Sequence, residues 1–456
     1  MNHITMKRNL SFSLLFSLLL SWSSWAQVAR TAEQDSMLAD RNRKTQADYE
    51  QMLQQLNIQS IRPGVNGSNP KAPNAANYDE SKATIFPTIP AVLQLKNGRM
   101  VDSKRSWNYH RKPEVVEDFE REIYGRIPDN IPPISWKIIS TENKTMAGFP
   151  VEVQKLIGTV DNKRFPSVSV QMEVTIGFRK DIKKAMPAMM ELAWFFPPGM
   201  NRPPAPANEI LWTEQVIAKG WAFIQLNPTS VQADHGAGLK SGIIGLMNRG
   251  EYRKADDWGS LRAWAWGASK VLDYLETLPQ IKYTQVGITG HSRYGKAAAV
   301  AMAFDTRFAI GYICSSGAGG LKLYRRNYGE LIENVAAKNE YHWMAGNFLK
   351  YAGPLQWNDL PIDAHELIAL CAPRPMYIGV GGNGDSWADP YGMYVAGKEA
   401  SSVYELLGKK GLVSDSAPLI NEAKTQGNIA FRMHDKGHVT GPNWPNFLEF
   451  ASRYLK

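Results

Sequence analysis

From about residue 91 onward, apolar and polar positions follow two different rhythms. Residues 151–158 and 168–176 alternate with a period of two, as antiparallel strands with one solvated face do. Residues 187–196 and 221–226 are unbroken apolar runs, the pattern of strands buried on both faces. Trp258, Leu261, Trp264, Ala268, Val271, Leu272 and Leu275 recur at helical spacing behind Asp257, the expected N-cap, which places both tryptophans in the core. A strand at 286–290 runs into an alanine-rich helix from Lys296. Strands at 308–314, 375–380 and 429–433, with helices at 364–371 and from Pro445, complete the pattern. Strands alternating with helices predict a mostly parallel sheet covered on both faces, an α/β fold.

The first ninety residues differ. Lys7 and Arg8, the apolar run 10–20 and Ser24-Trp25-Ala26 have the layout of a secretory signal, residues 1–26. That run is too short to span a bilayer comfortably, so export without a membrane anchor is expected. Residues 27–90 form a polar, then proline-rich extension, with a helix expected over 35–56. Pro63, Pro70, Pro73, Pro87 and Pro90 mark an extended wrap or linker. Residues 91–456 are expected to be one catalytic domain.

Composition narrows the classes. An apolar fraction of 44% allows a sizeable core, and two cysteines, Cys314 and Cys371, do not make a disulfide scaffold. They could pair with each other or remain buried thiols. The net charge of +9 is dispersed among acids such as Glu114, Glu117, Asp118 and Glu120, which argues against nucleic acid as a partner.

The chemistry centres on Gly290-His291-Ser292-Arg293-Tyr294-Gly295-Lys296. Strand, sharp turn with a central serine, then helix is the geometry of a nucleophile elbow. Arg293 stands where the residue after the nucleophile offers its N–H to an oxyanion, and its guanidinium would add a fixed charge. A surface arginine paired with a carboxylate is the plainer alternative. Cations are unwelcome at a helix N-terminus, so Arg293 and Lys296 together point to an anionic ligand. In this class of fold the acid and the histidine follow in that order, each after a later strand. The loop 381–390 offers Asp385 and Asp389, and the loop 433–439 offers His434 and His438. Asp385 is nearest the expected position, while Asp389 before Pro390 suits a turn cap. His438, after a glycine, can swing over the elbow, whereas His434 lies at the strand end. A metal site on the two histidines is disfavoured because Gly437 and the strand context break helical spacing.

With these motifs the chain resembles the glucuronoyl esterase family of carbohydrate esterases, in its bacterial branch. The elbow matches, as do Trp258-Gly259, Trp264-Ala265-Trp266-Gly267, Ser316-Gly317-Ala318-Gly319-Gly320, Arg325-Arg326, Gly329-Glu330 and Ala372-Pro373-Arg374-Pro375. Asp385, Trp387-Ala388-Asp389-Pro390 and Gly437-His438 complete the set. The resemblance implies an α/β-hydrolase three-layer sandwich. It also implies a cofactor-free serine esterase acting on (4-O-methyl-)glucuronoyl esters between glucuronoxylan and lignin alcohols. It casts Ser292 as nucleophile, His438 as base and Arg293 as oxyanion partner, with Lys296, Glu330 and Trp387 lining the sugar pocket. The chain departs from the family twice. Ser315 stands where many members carry the catalytic Glu, which leaves Asp385 as the acid. His291 and Val439 stand where many members carry bonded cysteines, which suggests a looser histidine loop. A monomer in the secreted or periplasmic space is expected. Rival expectations are an acetylxylan or other carbohydrate esterase, and an inactive polysaccharide-binding relative.

Overall fold

The computed structural model describes residues 31–83, 88–195 and 210–456. The expected signal segment and part of the 187–196 run lie outside these. Asn42–Lys456 forms one compact unit, and the described residues of Met1–Arg41 begin the first helix, α1 (Ala32–Gln55). The strands are β1 (Ile134–Met146), β2 (Phe149–Val160), β3 (Gln171–Arg179), β4 (Met186–Leu192), β5 (Ala222–Leu226), β6 (Ile281–His291), β7 (Ile310–Cys314), β8 (Met376–Gly381), β9 (Ala423–Lys424) and β10 (Ile429–His434). They make one sheet in the order β1-β2-β3-β5-β4-β6-β7-β8-β10-β9. From β5 to β10 the neighbours run parallel, while β1, β2, β3 and β9 pair antiparallel at the flanks.

Successive side chains of the central strands enter different cores because a strand alternates its faces. On β4, Met189 faces one cluster and Ala188 and Met190 the other; on β5, Phe223 opposes Ala222 and Ile224. One cluster holds α2 (Trp212–Ala218) and the C-terminal helix, where Trp212 and Trp444 stack at 4.9 Å. The other holds α3 (Ser260–Leu275), α4 (Arg293–Phe304) and α5 (Ala364–Cys371). This is the three-layer arrangement of an α/β-hydrolase. Further on come α6 (Pro390–Glu399) and the C-terminal α7 (Trp444–Ala451).

Trp258 and Trp264 are buried in the core, as their spacing predicts. The predicted cap is corrected: Gly259, not Asp257, is the N-cap of α3. A Cβ at Gly259 would lie 2.2 Å from the Trp343 carbonyl oxygen, so only glycine allows the chain to enter the helix there. The Asp257 carboxylate accepts instead from the Lys254 N–H at 2.7 Å.

The segment after α1 wraps the body. Arg62 donates to the carbonyl oxygens of Tyr351, Gly353 and Leu355 at 2.5–2.9 Å and pairs with Glu333. Gly67 lies against the Trp387 ring, and Glu80 pairs with Arg326. Cys314 and Cys371 are separate buried thiols, pushed up to about 12 by burial.

Candidate active site

The elbow forms because the chain must turn from β6 into α4 within one residue. Ser292 makes that turn at φ 60°, ψ −128°, a strained conformation for a non-glycine residue. Its neighbours are small by necessity. A Cβ at Gly290 would sit 2.1 Å from the Tyr294 carbonyl oxygen, and one at Gly295 would sit 2.6 Å from that of Cys314. Strand and helix can therefore close together behind the serine. The first N–H groups of α4 have no acceptor within the helix and face the same end of the sheet.

Asp385 follows β8 and His438 follows β10, both at the ends of parallel strands where such sheets place their sites. Asp385 Oδ1 lies 2.6 Å from His438 Nδ1. Asp385 Oδ2 accepts from Ser315 Oγ at 2.5 Å and from the Gly381 N–H at 2.9 Å. Burial acts to raise this carboxyl, but the His438 contact and the other two donors outweigh it and hold it below the usual range. The two loops are joined: Gly382 N–H donates to His434 O, and the Asn383 side chain donates to Asp435 O. The His291 ring packs on the His438 ring with centroids 4.1 Å apart, which brings His438 beside the residue preceding Ser292.

The other candidates have structural partners. Asp389 accepts from Arg326 Nε at 2.8 Å and from the Gly392 N–H, capping α6. His434 is fully buried; its Nε2 meets Val439 O at 2.9 Å and its Nδ1 accepts from the Lys436 N–H. Among the described residues no group of three or more side chains has the makings of a metal site.

Arg293 and Lys296, expected to serve an anionic ligand, each meet a carboxylate within the fold. Lys296 is buried, with Nζ 2.6 Å from both Glu330 Oε2 and Ala318 O. The Glu330 N–H donates to Trp387 O at 2.9 Å, so Lys296, Glu330 and Trp387 are linked in one chain of contacts. Arg293 Nη1 pairs with Asp234 Oδ2 at 2.6 Å, and its guanidinium carbon lies 5.0 Å from the Trp343 ring centroid. Asp234 Oδ1 is contacted by His342 Nε2 and Trp343 Nε1 at 2.9 and 2.7 Å. Burial alone would raise the Asp234 carboxyl, yet these partners hold it well below the usual range.

Three residues of this neighbourhood escape sequence reasoning. Asp234 lies in the loop after β5, again at a strand end, and that position is the signal that could have found it. Ser315 looks like a gap in the acid position, yet it is a donor to Asp385. Glu340 leaves no trace in the pattern. Its Oε2 is buried without a partner, and burial, reinforced by the Glu330 charge, pushes it up to about 8. A cavity of about 510 Å³ beside Trp136, Trp266 and Phe304 contains none of these residues.

Comparison with known proteins agrees with this geometry. The family described as "Glucuronyl esterase, fungi" matches residues 168–408. A carbohydrate esterase from an unknown prokaryotic organism is 30% identical over 84% of this chain and 93% of its own length. A glucuronoyl esterase structure from Teredinibacter turnerae superposes with a TM-score of 0.85 at 42% identity, covering 90% of this chain and 99% of that one. One from Solibacter usitatus gives 0.72 at 31%, covering 82% and 99%. A 4-O-methyl-glucuronoyl methylesterase from Hypocrea jecorina is 35% identical over 34% of this chain and 35% of its own length. With a family match over more than half its length and a 30% identical relative matched over 84% of this chain and 93% of its own, the chain belongs to the glucuronoyl esterase family.

Proposed function

We propose that this chain hydrolyses (4-O-methyl-)glucuronoyl esters linking glucuronoxylan to lignin alcohols, with Ser292, His438 and Asp385 as its triad and no cofactor. The 2.6 Å contact between Asp385 and His438 beside the elbow carries this reading. The bond to Asp385 keeps the His438 proton on Nδ1 and leaves Nε2 to accept one from Ser292 Oγ. The freed Oγ attacks the uronate carbonyl carbon. The carbonyl oxygen becomes an oxyanion, stabilised by the Arg293 N–H and guanidinium. His438 returns the proton to the departing alcohol. Water, deprotonated by His438, then attacks the acyl-serine; the acyl–oxygen bond breaks, His438 hands the proton to Ser292 Oγ, and the acid is freed.

Lys296 and Glu330 suit sugar hydroxyls, and the half-exposed Trp387 suits a pyranose face. Residues 91–456 act as the catalytic domain, and the segment around Arg62, Gly67 and Glu80 braces it. The signal-like residues 1–26 support release to the periplasm or beyond, and the chain acts as a monomer. Among the described residues no helix is long and apolar enough to cross a membrane.

The test is a panel of a methyl glucuronate ester, acetylated xylan and nitrophenyl acetate, with Ser292→Ala as control. Cleavage of the uronate ester that Ser292→Ala abolishes is expected. A preference for acetylated xylan would overturn the substrate, and inertness towards all three would leave a binding protein.

A further inference from the structure

His291 ends β6, and its backbone pairs in register with Cys314 on β7. Its ring therefore has a defined place, with its centroid 4.1 Å from that of His438 and the planes tilted by 44°. Its Nε2 is shut away from water and makes no hydrogen bond. Asp385 and His291 face the His438 ring, while His434 on β10 bonds to Val439 O and the Lys436 N–H. Burial pushes His291 down to about 3; the charges of His438 and His434 act the same way and Asp385 opposes them. The ring under His438 is thus neutral throughout the range in which a histidine base works.

A single hydrogen bond at Nδ1 leaves an imidazole free to rock about that bond. His438 needs a second constraint, since its side chain is 43% exposed and follows Gly437. The backbone on its far side is tied by His434 Nε2 at Val439 O, but that bond does not touch the ring. We propose that His291 is a positioning residue, whose neutral ring forms the floor that holds His438 with Nδ1 on Asp385 and Nε2 towards Ser292. The inference rests on His438 being the base. It assigns His291 no proton transfer, because its role is that of a flat, uncharged face.

Full-length wild type, His291→Phe, His291→Ala and His438→Ala are compared by steady-state kinetics on a methyl glucuronate ester from pH 5 to 9, with melting curves for each. His291→Ala should lower kcat by about 10–100-fold with KM within about twofold, the scale of a slightly misplaced catalytic group. His291→Phe keeps a flat face and should recover kcat to within about threefold of wild type. Its pH profile of kcat/KM should overlay the wild-type curve. Where His291→Ala does not fold, His291→Leu fills the space without a planar face and should show the same loss. An unchanged kcat in His291→Ala or His291→Leu overturns the proposal. So does a His291→Phe as slow as the alanine variant with an altered pH profile, which would make His291 a proton relay. Retained activity in His438→Ala would instead defeat the reading of His438 as base.

Discussion

Both oxygens of Asp385 are engaged, one by His438 and the other by Ser315 and the Gly381 N–H. That division gives separate expectations for two residues. Asp385→Asn removes the charge and the correct tautomer of His438, and should lower turnover by about 10⁴. Ser315→Ala leaves the His438 contact in place and should cost far less, about tenfold, when the two variants are measured side by side. For Arg293, the pairing with Asp234 matches the plainer alternative of an arginine held by a carboxylate, so kinetics must separate the two readings. Arg293→Ala should lower kcat by about 10²–10³ with KM nearly constant, the signature of a lost oxyanion donor. A raised KM with intact kcat would make it a sugar-binding residue. The meeting of Asp385 with His438 beside the elbow was legible because their order and loop positions are linear features. The partners of Arg293 and Lys296 were not, since Asp234 and Glu330 lie 59 and 34 residues away along the chain.

At the level of elements, legibility followed burial. β4, β5, β7 and β8 are buried on both faces and stand out as apolar runs. β1 leaves no such mark. It is an edge strand with most of its side chains exposed, Ile138 and Ile139 included, so neither face selects apolar residues. The cap of α3 was misread because Asp257 has the right chemistry, while the close approach of Trp343, 84 positions on, decides in favour of glycine. The junction of β6 and α4 is the element-scale counterpart of the strained serine. Gly295→Ala would press a methyl against the Cys314 carbonyl and should destabilise the fold by about 1–3 kcal/mol, read from denaturant melts. An unchanged midpoint would show that strand and helix have room to separate.

Across the whole molecule, two partly buried acids tie stability to pH in opposite directions. Glu340, raised from 4.5 to about 8, holds a proton in the fold that the unfolded chain has released. Its contribution is full below about pH 4.5 and is lost as pH rises to about 8. Asp234 is lowered, so its contribution is present above its unfolded value of 3.8 and is lost on acidification below it. Glu340→Gln should therefore flatten the fall in melting temperature between pH 5 and 8, and an unaltered slope would assign that fall to another group.

The wrap after α1 supplies the longest reach. Gly67 backs the Trp387 ring, and the Gly329 N–H bonds to Asn77 O, so the residues around Trp387 lean on the segment after α1. A Cβ at Gly67 would lie 2.6 Å from that ring, and Gly67→Ala should raise KM while sparing kcat. The same contact sets an order in time. A ribosome adding about 5–20 residues per second takes roughly 16–64 s to pass from Gly67 to Trp387. During that interval the early segment has no surface to rest on. The packing behind Trp387 is thus among the last parts to assemble, although the chain that braces it is among the first to be made.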